Sequence, residues 1–357
     1  MKKTKNAETS GVREIARRAK VSIATVDRVI HNRTGVSVKT RKLINKIIKQ
    51  LDYQPNILAS RLASRKVLRF AILIPHVSEE TDYWAAPLEG IEQAETELKQ
   101  FGVSVGKFFF DQNDKDSFIK QSKLILKGKV DGVLLAPFFI EESITFTNAC
   151  RKLDIPYVFI NSDIPNQESL CYIGPNLYQS GYLGGHLINY AVEDKSKVLV
   201  INVSKEIKNY NHNRLLRKEE GLRSYFENNG KRNTIVKLDI TKTDNRSIYK
   251  NISDIFKLHA DIKAIFVTNS RVGAVARYLE KTGKKDVFMV GYDFLNDNIG
   301  FLEKGIIDFL ICHKPKEQGN RGIMSLYQSI VMGTHIDKVY FMPIDIVSKE
   351  NYAFYRN

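Results

Sequence analysis

Apolar residues recur at two different spacings along this chain, and the change of spacing divides it. Near the N-terminus Val12, Ile15, Ala16 and Ala19 follow a helical period with Arg13, Arg17 and Arg18 between them, which predicts a short amphipathic helix. Lys20-Val21 interrupts it, Ser22 offers a capping hydroxyl, and Ile23, Val26, Val29 and Ile30 resume the period on a second helix. A third run, Leu43, Ile44, Ile47, Ile48 and Leu51, is entered through Ser37-Val38-Lys39-Thr40-Arg41. Two helices joined by about three residues form a helix-turn-helix. Three short helices can enclose one small core, close to the minimum for a stable module.

From Phe70 the rhythm changes to short apolar runs alternating with helical stretches: 70–74 then 84–101, 103–110 then 115–127, 132–136 then 142–153, and 157–160. The beat restarts with 198–203, 212–228, 235–238, 245–258, 264–267, 271–282 and 287–290. Such alternation predicts parallel α/β lobes, and its double occurrence predicts two of them with a cleft between. The expected fold is thus a small all-α helix-turn-helix module followed by a two-lobed α/β body with parallel sheets.

Charge sharpens the division. Residues 1–70 hold 18 Lys and Arg against 4 Asp and Glu, +14 of the chain's net +15, so the body is almost neutral. A basic module beside a neutral body is the electrostatic footprint of a DNA-binding unit joined to a sensing or catalytic one. With 357 residues, 43% hydrophobic and 27% charged, the chain suits a small module plus a two-lobed body. No apolar run follows Lys2, Lys3 and Lys5, so neither a secretory signal nor a membrane anchor is expected, and the cytoplasm is the expected compartment. Cys150, Cys171 and Cys312 are far apart with no CxxC pair, and are read as small buried thiols. The seven histidines (31, 76, 186, 212, 259, 313, 335) show no metal-ligand spacing. No metal or cofactor is expected.

The stretch from Val12 to Lys66 resembles, throughout its length, the headpiece and hinge of LacI-type transcriptional regulators. The resemblance rests on Val21-Ser22, Thr25-Val26, Arg28-Val29, Val36-Ser37, Lys39-Thr40-Arg41 and Tyr53-x-Pro55-Asn56, with Ala59 and Leu62 beyond. It implies that the second helix lies in the major groove of DNA, with Ile23, Ala24 and Arg28 facing base edges and Ser22, Thr25 and Asn32 near phosphates. Arg28 has the chemistry to read guanine, and Ile23 with Ala24 to pack on thymine methyls. The alternative is that they merely solvate a helix face. Two positions depart from the family pattern: Lys20, where the turn commonly has Gly, predicts a left-handed residue, and Asp27, where Ser is common, leaves the base code open. Asp27 would accept from a cytosine amino group or hold a basic neighbour such as Arg28 or Arg33. By the same resemblance Lys39, Thr40 and Arg41 belong to the DNA face, and residues 53–66 form a hinge whose Asn56, Ala59 and Leu62 meet the minor groove when two copies pair. The domains expected are residues 1–52, the hinge 53–66 and a sensor 67–357, with lobe 1 at about 67–162 plus 294–322 and lobe 2 at about 163–293 plus 323–357.

The body resembles the type I periplasmic sugar-binding fold that LacI-type regulators carry as their sensor. Ligands in such sheets bind beyond the carboxyl ends of the strands. There stand Tyr83-Trp84, with the chain's one tryptophan, Asn161-Ser162-Asp163, Asn269-Ser270 and Asp293. Trp84 would stack on a sugar ring or anchor the core. Asn161 matches a usual Asp of the relatives. Asn269 resembles their ligand-contacting pair, and Asp293 matches the aspartate that accepts sugar hydroxyls or, alternatively, caps a helix over 294–303. In His212-x-Arg214-x-x-Arg217, one arginine matches the family's ligand-gripping residue; the pair lies three apart and can share a helix face. Three functions compete: a ligand-controlled regulator, an enzyme with a nucleic-acid tether, and an architectural DNA-binding protein with an inert body. No G-x-S-x-G, H-E-x-x-H or P-loop occurs, and the strand ends carry a sugar-binding set. The expectation is therefore a homodimeric regulator, a repressor by resemblance and not an enzyme, with pseudo-palindromic double-stranded operator DNA and a small sugar-like effector as partners and no membrane.

Overall fold

The computed structural model describes residues 7–30, 34–51, 53, 67–78, 81–205 and 214–357. They fall into two compact units, one holding the N-terminal residues up to Val67 and one beginning at Leu68.

The first unit contains α1 (Ala7–Ala19), α2 (Ile23–Ile30) and α3 (Val38–Gln50). Its core is Ile15, Ala16, Ala19, Val26, Val29, Ile44 and Ile47, drawn from the three predicted apolar runs. Ser22 Oγ accepts from the Thr25 amide at 3.1 Å and Ser37 Oγ from the Thr40 amide at 3.2 Å. One Ser-x-x-Thr device therefore satisfies an orphan donor at the start of both α2 and α3. Lys20 takes φ +55° between α1 and α2, the left-handed turn expected there, at a cost of roughly 1 kcal/mol for a side chain in place of glycine.

The second unit holds two six-stranded sheets. The first, in the order β11-β5-β4-β3-β1-β2, joins β1 (Leu68–Pro75), β2 (Val103–Phe110), β3 (Gly132–Leu135), β4 (Tyr157–Ile160), β5 (Cys171–Gly174) and β11 (Val339–Phe341). The second, β12-β10-β9-β8-β6-β7, joins β6 (Lys197–Val203), β7 (Thr234–Ile240), β8 (Ile262–Val267), β9 (Phe288–Tyr292), β10 (Phe309–Cys312) and β12 (Asp345–Val347). Among the described strands of the two sheets, β12 alone runs antiparallel to its neighbour. Helices α4 (Ala85–Leu98), α5 (Lys115–Lys127), α6 (Ile140–Lys152) and α12 (Pro315–Met332) cover the first sheet; α7 (Leu177–Ala191), α8 (Arg214–Asn228), α9 (Asn245–Leu258), α10 (Val272–Thr282) and α11 (Asn296–Glu303) cover the second. Central strands covered on both faces are apolar throughout, as in β3, β4 and β5.

The lobes differ from the expected division. The chain crosses between them three times: after β5, after β10, and between β11 and β12. Pairing with β4 holds β5 in lobe 1, and β11 returns to β5. Pairing with β9 keeps β10 in lobe 2. Lobe 1 is therefore 68–174 plus 315–341 and lobe 2 is 177–312 plus 345–357, in place of 67–162 plus 294–322 and 163–293 plus 323–357. Strand pairing over long separations decides this, and local periodicity carries no trace of it.

In each lobe two helices touch backbone to backbone through glycine. A Cβ at Gly90 on α4 would lie 1.8 Å from the Lys316 carbonyl oxygen on α12, and one at Gly181 on α7 would lie 1.8 Å from the Lys218 oxygen on α8. The three cysteines are free and buried. Among the described residues no helix is long and apolar enough to cross a membrane.

Candidate functional site

On α2 the capping geometry turns Ser22, Ile23, Ala24 and Arg28 outward, with Thr25 and Asp27 half-buried. Ile23 is 48% exposed although it belongs to the apolar run. The Arg28 guanidinium lies beside Gly35, where a Cβ would come within 3.1 Å of Nη1, so the glycine keeps room for it. Lys39 is exposed and Thr40 and Arg41 are half-buried in the first turn of α3. Asn32, Asn56, Ala59 and Leu62 lie outside the described residues, as do Arg33 and His212.

In the second unit the carboxyl ends of both sheets face one cleft lined from both lobes, the place where open α/β sheets bind ligands. Tyr83, Trp84 and Asn161 line it from lobe 1; Arg214, Asn269 and Asp293 line it from lobe 2. Asn161, at φ +69°, donates from Nδ2 to Tyr83 Oη at 2.6 Å, and its amide donates to Gln318 Oε1 at 2.9 Å. Trp84 packs edge-on against Tyr83 with ring centroids 5.1 Å apart and is 4% exposed, so it is at once a core anchor and part of the wall. Asn269 braces its own loop, donating to the Val203 carbonyl at 2.7 Å and accepting from the Arg271 amide at 3.2 Å.

The alternative role of Asp293 as a helix cap is not realised. The N-cap of α11 is Leu295, without a side-chain bond, while Asp293 stands at φ +75° with its side chain in the cleft. Bracing falls to the buried Asn298, whose Nδ2 donates to the Asp293 carbonyl at 3.0 Å and whose Oδ1 accepts from the Gly273 amide at 3.0 Å.

The two arginines part company. Arg214 lies 4.0 Å above the Phe138 ring, lobe 2 against lobe 1, and faces the cleft. Arg217 does not line it; its guanidinium is held by Asp163 of lobe 1 at 2.5 Å. The pair therefore does not share one face toward the cleft: Arg214 lines it, and Arg217 bridges the lobes. Thr81 and Ser270 bridge the lobes again through their hydroxyls at 3.3 Å.

The reading of residue types missed Lys218, His313 and Gln318. Lys218 stands four residues after Arg214 on α8, the spacing that shares a face, and this was the available signal. Its Nζ donates to the Thr268 carbonyl at 3.0 Å and lies 3.5 Å from the centre of the Tyr292 ring. Burial lowers Lys218 to about 7 against the pull of Asp293, raises Asp293 to about 6 against Lys218 and Arg214, and lowers Arg214 to about 10. His313, at the crossing after β10, is held well below its ordinary value by burial and by Lys218. Its Nε2 lies 2.8 Å from Ser180 Oγ, and its carbonyl accepts from Gln318 Nε2 at 2.8 Å. Through Gln318, the crossing is tied to Asn161 and Tyr83 in the cleft. Neither His313 nor Gln318 left a signal, because the crossing itself is not visible in the apolar pattern.

The family model described as the periplasmic binding protein domain matches residues 70–333, and that for bacterial regulatory proteins of the lacI family matches residues 12–56. Catabolite control protein A of Staphylococcus epidermidis is 29% identical over 155 residues, 43% of this chain and 45% of that protein. The HTH-type transcriptional regulator RegA of Clostridium acetobutylicum is 30% identical over 166 residues, 45% of this chain and 46% of that protein. The chain thus aligns with just under half the length of these curated relatives. Among solved structures, a glucose-galactose binding protein from Geobacillus stearothermophilus shares the fold, with a TM-score of 0.72 at 22% identity over 80% of this chain and 99% of that one. A protein assigned as a LacI transcriptional regulator from Bacteroides fragilis matches with a TM-score of 0.76 at 30% identity, over 82% of this chain and 100% of that one. Its helix-turn-helix and its two-lobed periplasmic-binding-protein body together place this chain in the LacI family of bacterial regulatory proteins.

Proposed function

We propose that this protein is a sequence-specific DNA-binding transcriptional repressor whose operator affinity is set by a small sugar-like ligand held between the two lobes. The observation that carries the reading is the cleft, where an indole, an amide, a guanidinium and a carboxylate from both lobes face one space. The protein works by binding and not as an enzyme, in the cytoplasm, as a homodimer on a two-fold pseudo-palindromic operator, because one headpiece covers a single half-site. A ligand that favours the closed lobes shifts operator affinity by linkage, and the operator shifts ligand affinity equally. Its relatives, which include a catabolite control protein and, by fold, a glucose-galactose binding protein, support this reading.

Removal of residues 1–66 tests the two-part organisation. The remaining body is expected to bind its ligand and to leave DNA unshifted at moderate salt, since it carries almost no net charge. A truncated protein that still retards DNA sinks the reading. Within the headpiece, Arg28→Ala is expected to cost about 1 to 3 kcal/mol and relax preference at one guanine of each half-site, while Lys39→Ala weakens all sequences alike. Equal losses on operator and random DNA would assign Arg28 to the backbone.

A further inference from the structure

We propose that the outer face of α3 is a second DNA-contacting surface, which holds backbone phosphates of the duplex beyond the half-site that α2 reads. The inference rests on the DNA-binding reading above and extends its footprint. α3 carries five cations, Lys39, Arg41, Lys42, Lys46 and Lys49, and no carboxylate. Lys39, Lys42, Lys46 and Lys49 are exposed, and among the described residues none of these four lysines has an ion pair. α1 treats its cations differently: Glu14 takes both Arg17 at 2.6 Å and Arg18 at 2.8 Å. The lysines follow one another at three- and four-residue steps, so they form one stripe, on the side of the helix away from the buried Ile44 and Ile47. Lys42, Asn45, Lys46, Lys49 and Gln50 wall an open groove there.

Like charges at these spacings repel and weaken a helix, so the stripe works against α3 until an external anion meets it. At about 1.5 Å per residue it runs about 15 Å, a length over which one strand of a duplex presents about four phosphates. Asn45 and Gln50 add amide donors, which suit phosphate oxygens. Continuity fixes which polyanion this is. The loop before α3 reaches the base-reading side of α2, since a Cβ at Gly35 would lie 3.1 Å from Arg28 Nη1, and Ser37 then caps α3. Lys39 follows in the first turn, and Lys42, Lys46 and Lys49 carry the positive surface on from that contact. The duplex that enters against α2 therefore supplies the phosphates, outside the base pairs that α2 reads.

The probe is an operator selected from a random-sequence library with the full-length protein. It is made in two lengths, trimmed to its half-sites and extended at each end by one helical turn, about 10 base pairs. Lys42→Gln, Lys46→Gln and Lys49→Gln are combined in one variant, while Lys39 stays because it belongs to the DNA face proposed above. The matched control combines Lys120→Gln, Lys123→Gln and Lys127→Gln on α5, an equal loss of exposed charge in the body. On the extended duplex the α3 variant is expected to flatten the fall of log affinity with log salt by about 2 to 3, because each phosphate contact contributes about 0.9. On the trimmed duplex, and in the control on both lengths, the slope should change by less than about 1. In the native protein the amines of Lys42, Lys46 and Lys49 should acetylate several-fold more slowly once the extended duplex is bound, while those of Lys120, Lys123 and Lys127 keep their rates. Lys and Gln have similar helix propensities, and a melt of each variant verifies folding. An unchanged slope, or amines that stay reactive, overturns the α3 surface and leaves the DNA reading standing. Equal flattening on both lengths places the contact inside the half-site, and protection that needs a second duplex gives the face to another DNA segment; either result overturns the proposal. Failure to select any operator overturns both readings.

Discussion

Gly181→Val lowers the melting temperature of the body by roughly 6 °C or more and takes ligand binding with it. At this position a Cβ would lie 1.8 Å from the Lys218 carbonyl oxygen and 2.6 Å from its carbon. These are backbone atoms, so no rotamer change relieves the clash and α8 must move off α7. Overpacking of this kind costs about 3 kcal/mol, and each kcal/mol shifts the melt of a body this size by about 2 to 4 °C. Because α8 carries both Arg214 and Lys218, the displacement also spoils the cleft wall. Gly300→Ala on α11 is the matched control: nothing lies within 4 Å of its Cβ position, so a gain of about 0.5 to 1 kcal/mol is expected from the stiffer unfolded chain. Scanning calorimetry distinguishes the two, and an unshifted melt for Gly181→Val would mean that α7 and α8 are not in backbone contact.

Asp293→Ala is expected to abolish the ligand response while ligand-free operator affinity stays within about two-fold of wild type. A carboxylate that accepts two hydroxyls contributes about 3 kcal/mol, roughly 100-fold in affinity. Stability should suffer little. The side chain caps no helix, and burial already raises it to about 6, so its charge is held in the fold against a desolvation cost. Calorimetric titration beside a thermal melt reads both quantities. Retained binding with a lowered melting point would make Asp293 a structural residue and move the ligand elsewhere.

Much of this molecule is legible in short windows of its chain. The spacing of Ile15, Val26, Ile44 and Ile47 marks the buried face of each headpiece helix, because a 3.6-residue period is a local property. Ser22 and Ser37 mark helix starts for the same reason, since a cap reaches only three residues ahead. Strands β2 and β4 match the predicted runs at both ends. The second half of each lobe was harder to read. β5, α7, β10 and α12 were not part of the predicted alternation, and their lobe membership depends on neighbours far away in the chain.

The cleft divides in the same way. Residue type at a strand end was enough to single out Trp84, Asn161, Asn269 and Asp293, because in a parallel sheet every carboxyl end points to the same side. Choosing Arg214 over Arg217 was not possible from spacing, since both lie on one helix and the choice depends on Asp163 and Phe138 of the opposite lobe. Lys218, Gln318 and Asn298 are polar residues within helices, where a surface position is the ordinary expectation. Only tertiary structure buries them, and each has partners that make burial tolerable: Thr268 for Lys218, Asn161 for Gln318 and Gly273 for Asn298. The sequence by itself determined a basic three-helix headpiece, a neutral α/β body and the strand ends that line the cleft, because those depend on local period, charge and cap. The tertiary structure decided which lobe each late element joins, which cation faces the cleft and which polar groups hold the crossings, because these depend on partners that meet only once the chain has crossed between the lobes three times.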